Sequence, residues 1–240
     1  MRSIAEQTDD ELGGPLSVLV RQKQDHAKLD RLLSDLPAAP GEDQDEVLNR
    51  INRLVFSHAF AEEAVLWPVM RRKLPDGEQL TLRVEKEHQE VNELVVALEE
   101  GGPRAADREA LVDRLIEVLR EDVRDEEDLL LPRLQEVCSI QELRRLGAFW
   151  EAVRRTAPTR PHPVIARRPP GNVLSALPLS AVDRSRDLVD FAARRAASPN
   201  AAARLRLASV MLARAAGRIE HIGPMHRGEN PRTRHPDADE

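Results

Sequence analysis

An eleven-residue passage is written twice in this chain, and its internal spacing suits one kind of backbone. His58-Ala-Phe-Ala-Glu62-Glu63-Ala-Val-Leu-Trp-Pro68 returns as Asp122-Val-Arg-Asp-Glu126-Glu127-Asp-Leu-Leu-Leu-Pro132. In each copy a residue able to bind a metal is followed four positions later by a glutamate, then by a second acid, an apolar run and a proline. Residues four apart lie on one face of an α-helix, one turn above the other. The two passages therefore read as the halves of one site carried on two helices.

Each half carries a further histidine upstream, in Asp25-His26 and in Glu87-His88. His26 precedes His58 by 32 residues and His88 precedes Asp122 by 34, room for a helix, a short loop and half of the next helix. The offset between halves is 62 for these histidines and 64 for the motif glutamates and prolines, so the repeat tolerates only a small loop difference. Such a repeat is best read as two helical hairpins.

The pattern around the repeat predicts helices over about 15–36, 43–73, 80–100 and 107–137. Leu16, Leu19, Val20, Leu29, Leu32 and Leu33 form the apolar stripe of the first. Pro68 and its counterpart Pro132 should kink or end the second and fourth. Pro37 to Gly41, Pro75-Asp-Gly77 and Gly101-Gly102-Pro103 supply turns. The expected fold is all-α: an antiparallel up-down-up-down four-helix bundle, with a shorter fifth helix from Ser139 to about Arg155. The domain thus spans 1–157. Residues 158–178, rich in proline and arginine, read as a linker or arm lying on the bundle. A helical extension follows over 179–222, and the polar residues 223–240 read as a disordered tail.

Composition narrows the function. The chain has no tyrosine, so no tyrosyl radical or phenolate ligand is available. A net charge of -6 argues against nucleic acid as a partner. Cys138, the single cysteine, excludes an intramolecular disulfide and a cysteine metal cluster. No apolar stretch is long enough to cross a membrane, and the amino-terminal residues have no signal-like apolar core, so a cytoplasmic location is expected.

The inward faces of the four helices offer, in order, His26, His58 with Glu62, His88, and Asp122 with Glu126. Burying a polar group without a partner costs several kcal/mol, so a layer of six in an apolar bundle asks for a bound cation, or two. Imidazole mixed with carboxylate suits iron, zinc or manganese better than calcium or magnesium, and iron is the first choice. Glu63 and Glu127, one step around the helix from the motif glutamates, read as supporting or surface groups. Glu85, one turn before His88, is an outside candidate. His162, His221 and His226 fall in the arm and tail and are left unassigned. Trp67 reads as packing beneath the site.

These residues resemble the hemerythrin-like, or HHE cation-binding, family over about residues 15–138. The stretch around His58 and Glu87-His88 looks particularly like its actinobacterial members. The resemblance implies a non-heme di-iron centre with Glu62 and Glu126 as bridging carboxylates. His26 and His58 would serve one iron, and His88 and Asp122 the other. The chain departs from the family pattern at Asp122, where histidine is usual. It also has Val84 where oxygen carriers have a second helix-three histidine. Fewer nitrogen donors and more negative charge at the second iron favour the ferric state and work against reversible oxygen carriage.

The function expected is therefore handling of oxygen, peroxide or nitric oxide in sensing, storage or detoxification under oxidative stress, with catalase-like peroxide dismutation as the turnover open to such a centre. The rival reading is a regulatory or interaction module whose degenerate site holds one metal or none, with a second copy docking through the C-terminal extension. A zinc or manganese hydrolase is a third, unsupported by any nucleophile or phosphate-loop motif.

Overall fold

The computed structural model describes residues 1–39, 41–99 and 105–233. The expected stop at Gly101-Gly102-Pro103 and the last seven residues of the tail lie outside them. All regular structure among the described residues is helical. Helix α1 spans Val18–Asp35 and starts at Ser17, whose side chain accepts from the Leu19 N–H. Leu16 precedes this cap and is exposed, so it belongs to no core stripe. Helices α2 (Glu42–Ala61) and α3 (Trp67–Lys73) are joined without a break by a π-turn over Glu62–Leu66. Helix α4 spans Gly77–Glu99. Helices α5 (Ala105–Asp125) and α6 (Leu131–Val137) are joined by a second π-turn, Glu126–Leu130. These segments make the antiparallel bundle.

The π-turns answer the prolines. A proline inside a helix lacks an N–H, and its ring collides with the carbonyl four residues back. Widening one turn moves the break upstream: the Trp67 N–H donates to the Glu62 carbonyl and the Leu131 N–H to the Glu126 carbonyl, each five residues back. Pro68 and Pro132 then stand in the first turn of α3 and α6, where a missing N–H costs little. The sequence leads one to expect a kink, and the helix accommodates an extra residue.

The bundle core is divided. One apolar cluster joins Val18, Leu19, Leu66, Trp67, Met70, Val84, Leu130, Leu131 and Leu134 to Ile4 and Leu12 of the amino-terminal segment. The other holds Leu29, Leu32, Leu33, Ile51, Leu54, Val91, Val95, Leu115 and Leu119. Along every bundle helix the predicted metal ligands fall between the two.

Helix α7 (Ile140–Thr156) begins with a capping box, Ser139 and Glu142 each accepting from the other's backbone. It presses so closely on the start of α1 that a Cβ on Gly147 would sit 2.1 Å from the Leu16 carbonyl oxygen. Helices α8 (Gly171–Arg194) and α9 (Pro199–Glu220) pack together as a hairpin. Helix α8 starts well before Leu179 and runs through Pro178, so the non-helical arm is shorter than composition suggests. Residues 223–233 are also structured. Gly223–His226 forms a 3-10 turn, and the Met225 and Arg227 carbonyls accept from the arm residues Ala166 and Gly171.

The arm is fastened by ions. Buried Arg160 meets Glu99 at 3.1 Å, Asp187 at 2.8 Å and Asp190 at 2.7 Å. The His162 side chain, 8% exposed, lies 3.1 Å from Asp183 and 3.0 Å from Glu220, and its backbone N–H donates to Asn92 of α4. Burial by itself lowers this imidazole's pKa, but Asp183 and then Glu220 outweigh it and push the value up to about 10. The folded value stands above the ordinary 6.5, so protonation stabilises the docked arm. That contribution is complete below about pH 6.5 and disappears as pH climbs through about 10. Thermal midpoints should therefore fall between neutral pH and pH 10, and fall less in His162→Gln, as differential scanning calorimetry of the two proteins will read.

Candidate metal centre

All six predicted ligands are buried, with exposures of 8% or less. They fall into two overlapping groups of converging donor atoms: His26, His58, Glu62 and Glu126, and His88, Asp122 and Glu126. Glu126 belongs to both, one oxygen 3.1 Å from His26 Nε2 and the other 3.8 Å from His88 Nε2. Glu62 spans the same gap, one oxygen 3.2 Å from His58 Nε2 and the other 3.8 Å from His88 Nε2. His26 and His58 bring their Nε2 atoms within 3.3 Å of each other.

The outer nitrogens show how the rings are aimed. His26 Nδ1 lies 2.9 Å from Glu127, His88 Nδ1 2.9 Å from Glu63, and His58 Nδ1 3.3 Å from Asp25. An Nδ1–H donating to a carboxylate fixes the tautomer that leaves the Nε2 lone pair facing inward. The π-turns make this arrangement available, because both members of each Glu-Glu pair reach the centre. The first glutamate points in. The second crosses to the lone histidine of the other half: Glu63 to His88, and Glu127 to His26.

The fourth place in this scheme is broken. Glu87 precedes His88 as Asp25 precedes His26, so it stands where the orienting carboxylate for residue 122 belongs, but residue 122 is an acid. Burial, and then Asp125, push Glu87 up to about 7, against the pull of His88 and Arg83. Asp122 is raised well above the carboxylate range, by burial and then by Glu126. One oxygen of each has no hydrogen-bond partner among the described residues.

Charge in the layer demands a counterion. Burial lowers the histidines, yet Glu126 with Glu127 pushes His26 up to about 9, and Glu62 with Asp25 pushes His58 up to about 10. His88 is likewise raised, mainly by Asp122. Burial raises Glu126, but His26 and then His88 outweigh it and hold it below the carboxylate range. Glu62 is raised by burial and by Glu126. Both oxygens of Glu62 and one of Glu126 lack hydrogen bonds among the described residues. Unsatisfied buried oxygens converging with inward-aimed imidazoles fit a cation, which replaces the protons that otherwise balance them.

Two supports come from outside the bundle. Arg167 of the arm, 8% exposed, reaches the Glu63 oxygen at 3.1 Å that also receives His88, and it donates to Gln89 as well. Burial raises Glu63, but Arg167 and then His88 keep it ionised. Trp150 of α7 meets His58 edge to face, with ring centres 5.2 Å apart. Glu85 joins neither donor group: it is fully buried and held by Arg71 and Arg168. Sequence reasoning missed Asp25 and Arg167; the adjacency of Asp25 to His26 hinted at the first, and no local pattern marks the second.

A buried cluster of histidines and glutamates in a four-helix bundle, able to hold metal, defines a class of metal-binding helical domains. Residues 18–134 match the model of the hemerythrin HHE cation binding domain. An uncharacterized hemerythrin-like protein of Schizosaccharomyces pombe is 25% identical over 171 residues, 70% of this chain and 83% of the relative. No solved structure matches the chain significantly.

Because Glu63 and Glu127 aim imidazoles without supplying a donor, Glu63→Gln and Glu127→Gln should each weaken metal binding about 10- to 100-fold while the bundle stays folded. Competition with a chromophoric chelator measures this, and wild-type affinity in both variants would remove the orienting role.

Proposed function

We propose that this protein holds a non-heme di-iron centre in the cytoplasm and uses it to sense, store or detoxify oxygen, peroxide or nitric oxide. The observation that carries the reading is the pair of glutamates spanning two donor groups: Glu126 is shared outright, and Glu62 offers one oxygen to each side. His26, His58, Glu62, His88, Asp122 and Glu126 would together hold two cations in such a layer. Mixed nitrogen and oxygen donors suit iron first, with zinc or manganese as alternatives. Iron in this site would supply Lewis acidity and one-electron redox chemistry toward a small ligand.

The protein's own residues decide what reaches the centre and what charge it tolerates. Beside the donors lies a cavity of about 20 Å³, walled by Leu29, Leu54, Val55, Leu119 and Val123. That is room for roughly one water-sized molecule. The apolar wall favours a small, weakly hydrated ligand and excludes larger substrates. Asp122 in place of an imidazole makes the second group more anionic, which stabilises a more highly charged cation and favours redox sensing or detoxification over reversible carriage. Peroxide dismutation is the turnover this arrangement supports.

A second reading concerns assembly. Leu174, Leu177, Leu188, Phe191, Leu207 and Met211 of α8 and α9 are exposed apolar residues, and they support a homodimer formed through the extension.

Protein purified aerobically and reconstituted with ferrous iron should retain close to two irons per chain and show near-ultraviolet charge-transfer bands of bridged ferric iron. Asp122→His should keep that stoichiometry and shift the bands, with Glu87 placed to hold the new imidazole. Failure to retain iron, with a melting temperature indifferent to chelator, would favour the metal-free interaction module.

A further inference from the structure

On the side of the bundle where α1, α2 and α7 meet the arm and α8, there is a pocket of about 540 Å³ whose chemistry the metal centre does not use. Its walls carry Lys28, Arg50, Arg53, Arg154, Arg155 and Arg184, and the only carboxylate among the lining residues is Glu151. The chain as a whole carries a net charge of -6, so the sign is reversed locally.

The cations are only partly satisfied. Glu151 is shared by Arg154 at 3.0 Å, Arg155 at 2.6 Å and Arg21 at 3.3 Å. Arg154 also leans on Asp25 at 3.6 Å, and Arg53 on Asp187 at 3.5 Å. Arg184 spends its guanidinium on Ser180 and on the Arg155 and Ala157 carbonyls. Lys28 and Arg50 form no ion pair with any described residue. Like charges gathered in one concavity repel one another, and five separate segments of the fold contribute to this gathering. A concave site lined by one sign of charge concentrates ligands of the other.

We propose that this pocket binds a small molecule carrying two or more phosphate groups. Guanidinium forks match phosphate oxygens in bidentate geometry, and the pocket holds more cations than one phosphate group can satisfy. Its volume lies within the range of small-ligand sites. A long anionic polymer extending beyond the pocket would lie against a chain of net charge -6, whereas a compact polyphosphate meets the cations gathered within it.

Isothermal titration calorimetry of the full-length protein as purified, with inorganic triphosphate as the probe and monophosphate beside it, tests the assignment. One saturable site is expected, with triphosphate the tighter ligand and affinity falling as salt rises. The double variant Lys28→Ala/Arg50→Ala, both positions being exposed, should keep the wild-type melting temperature and bind triphosphate at least about tenfold more weakly. No saturable binding at low salt would overturn the proposal, as would undiminished binding by the double variant or tighter binding of a single-stranded oligonucleotide than of triphosphate. Neither varied residue is a metal donor, so failure here leaves the iron reading untouched.

Discussion

The structure depends on one costly layer. Six ionisable side chains lie between two apolar clusters, each at most 8% exposed, where an unpaired charge is worth several kcal/mol of instability. A bundle of this size has total stability of the same order as that cost. The layer can persist only if its charges neutralise one another or a cation does so for them. The interlocked imidazoles and carboxylates do part of this. The oxygens of Glu62, Asp122 and Glu126 left without hydrogen bonds among the described residues mark what remains to be balanced.

Balance alone would not aim the donors, and the second acid of each motif does that. Glu63 belongs to the first half and holds the histidine of the second; Glu127 belongs to the second and holds the histidine of the first. Each half thus orients a histidine of the other, so the two copies of the repeat interlock. The exception is instructive. Asp25 orients His58, but its counterpart Glu87 faces Asp122 and is pushed up to about 7 by burial and Asp125. The supporting carboxylate is present while the imidazole it would support is not.

Much of this was legible in the chain because the information is local. Helix spacing placed His58 with Glu62 and Asp122 with Glu126. Ser139 opens the fifth helix where the sequence places it, whereas α1 begins at Val18, a turn later than the expected start near residue 15. What escaped is what tertiary structure decides. A proline in a helix announces a disturbance but not its form, and here the form is a π-turn that brings Glu63 and Glu127 to the centre. Pro178 likewise suggested a boundary that α8 ignores. The polar stretch 223–233 reads as tail until the arm is seen to supply N–H groups to its carbonyls.

The arm is the clearest case of a functional contact with no local signature. Arg167 lies outside the segment 18–134 that matches the family model, and 104 residues separate it from Glu63. Its guanidinium nevertheless meets the carboxylate oxygen that receives His88. Removing one partner of a buried pair costs about 3–5 kcal/mol, because the remaining charge is stranded. Detaching the arm would strand Glu63 in this way and weaken the bond that orients His88. The same arm is anchored to the extension by Arg160 and His162, through Asp187, Asp190, Asp183 and Glu220. The arm therefore carries two sets of charged contacts a few residues apart, one through Arg160 and His162 to α8 and α9 and one through Arg167 and Glu63 to His88 of the buried layer.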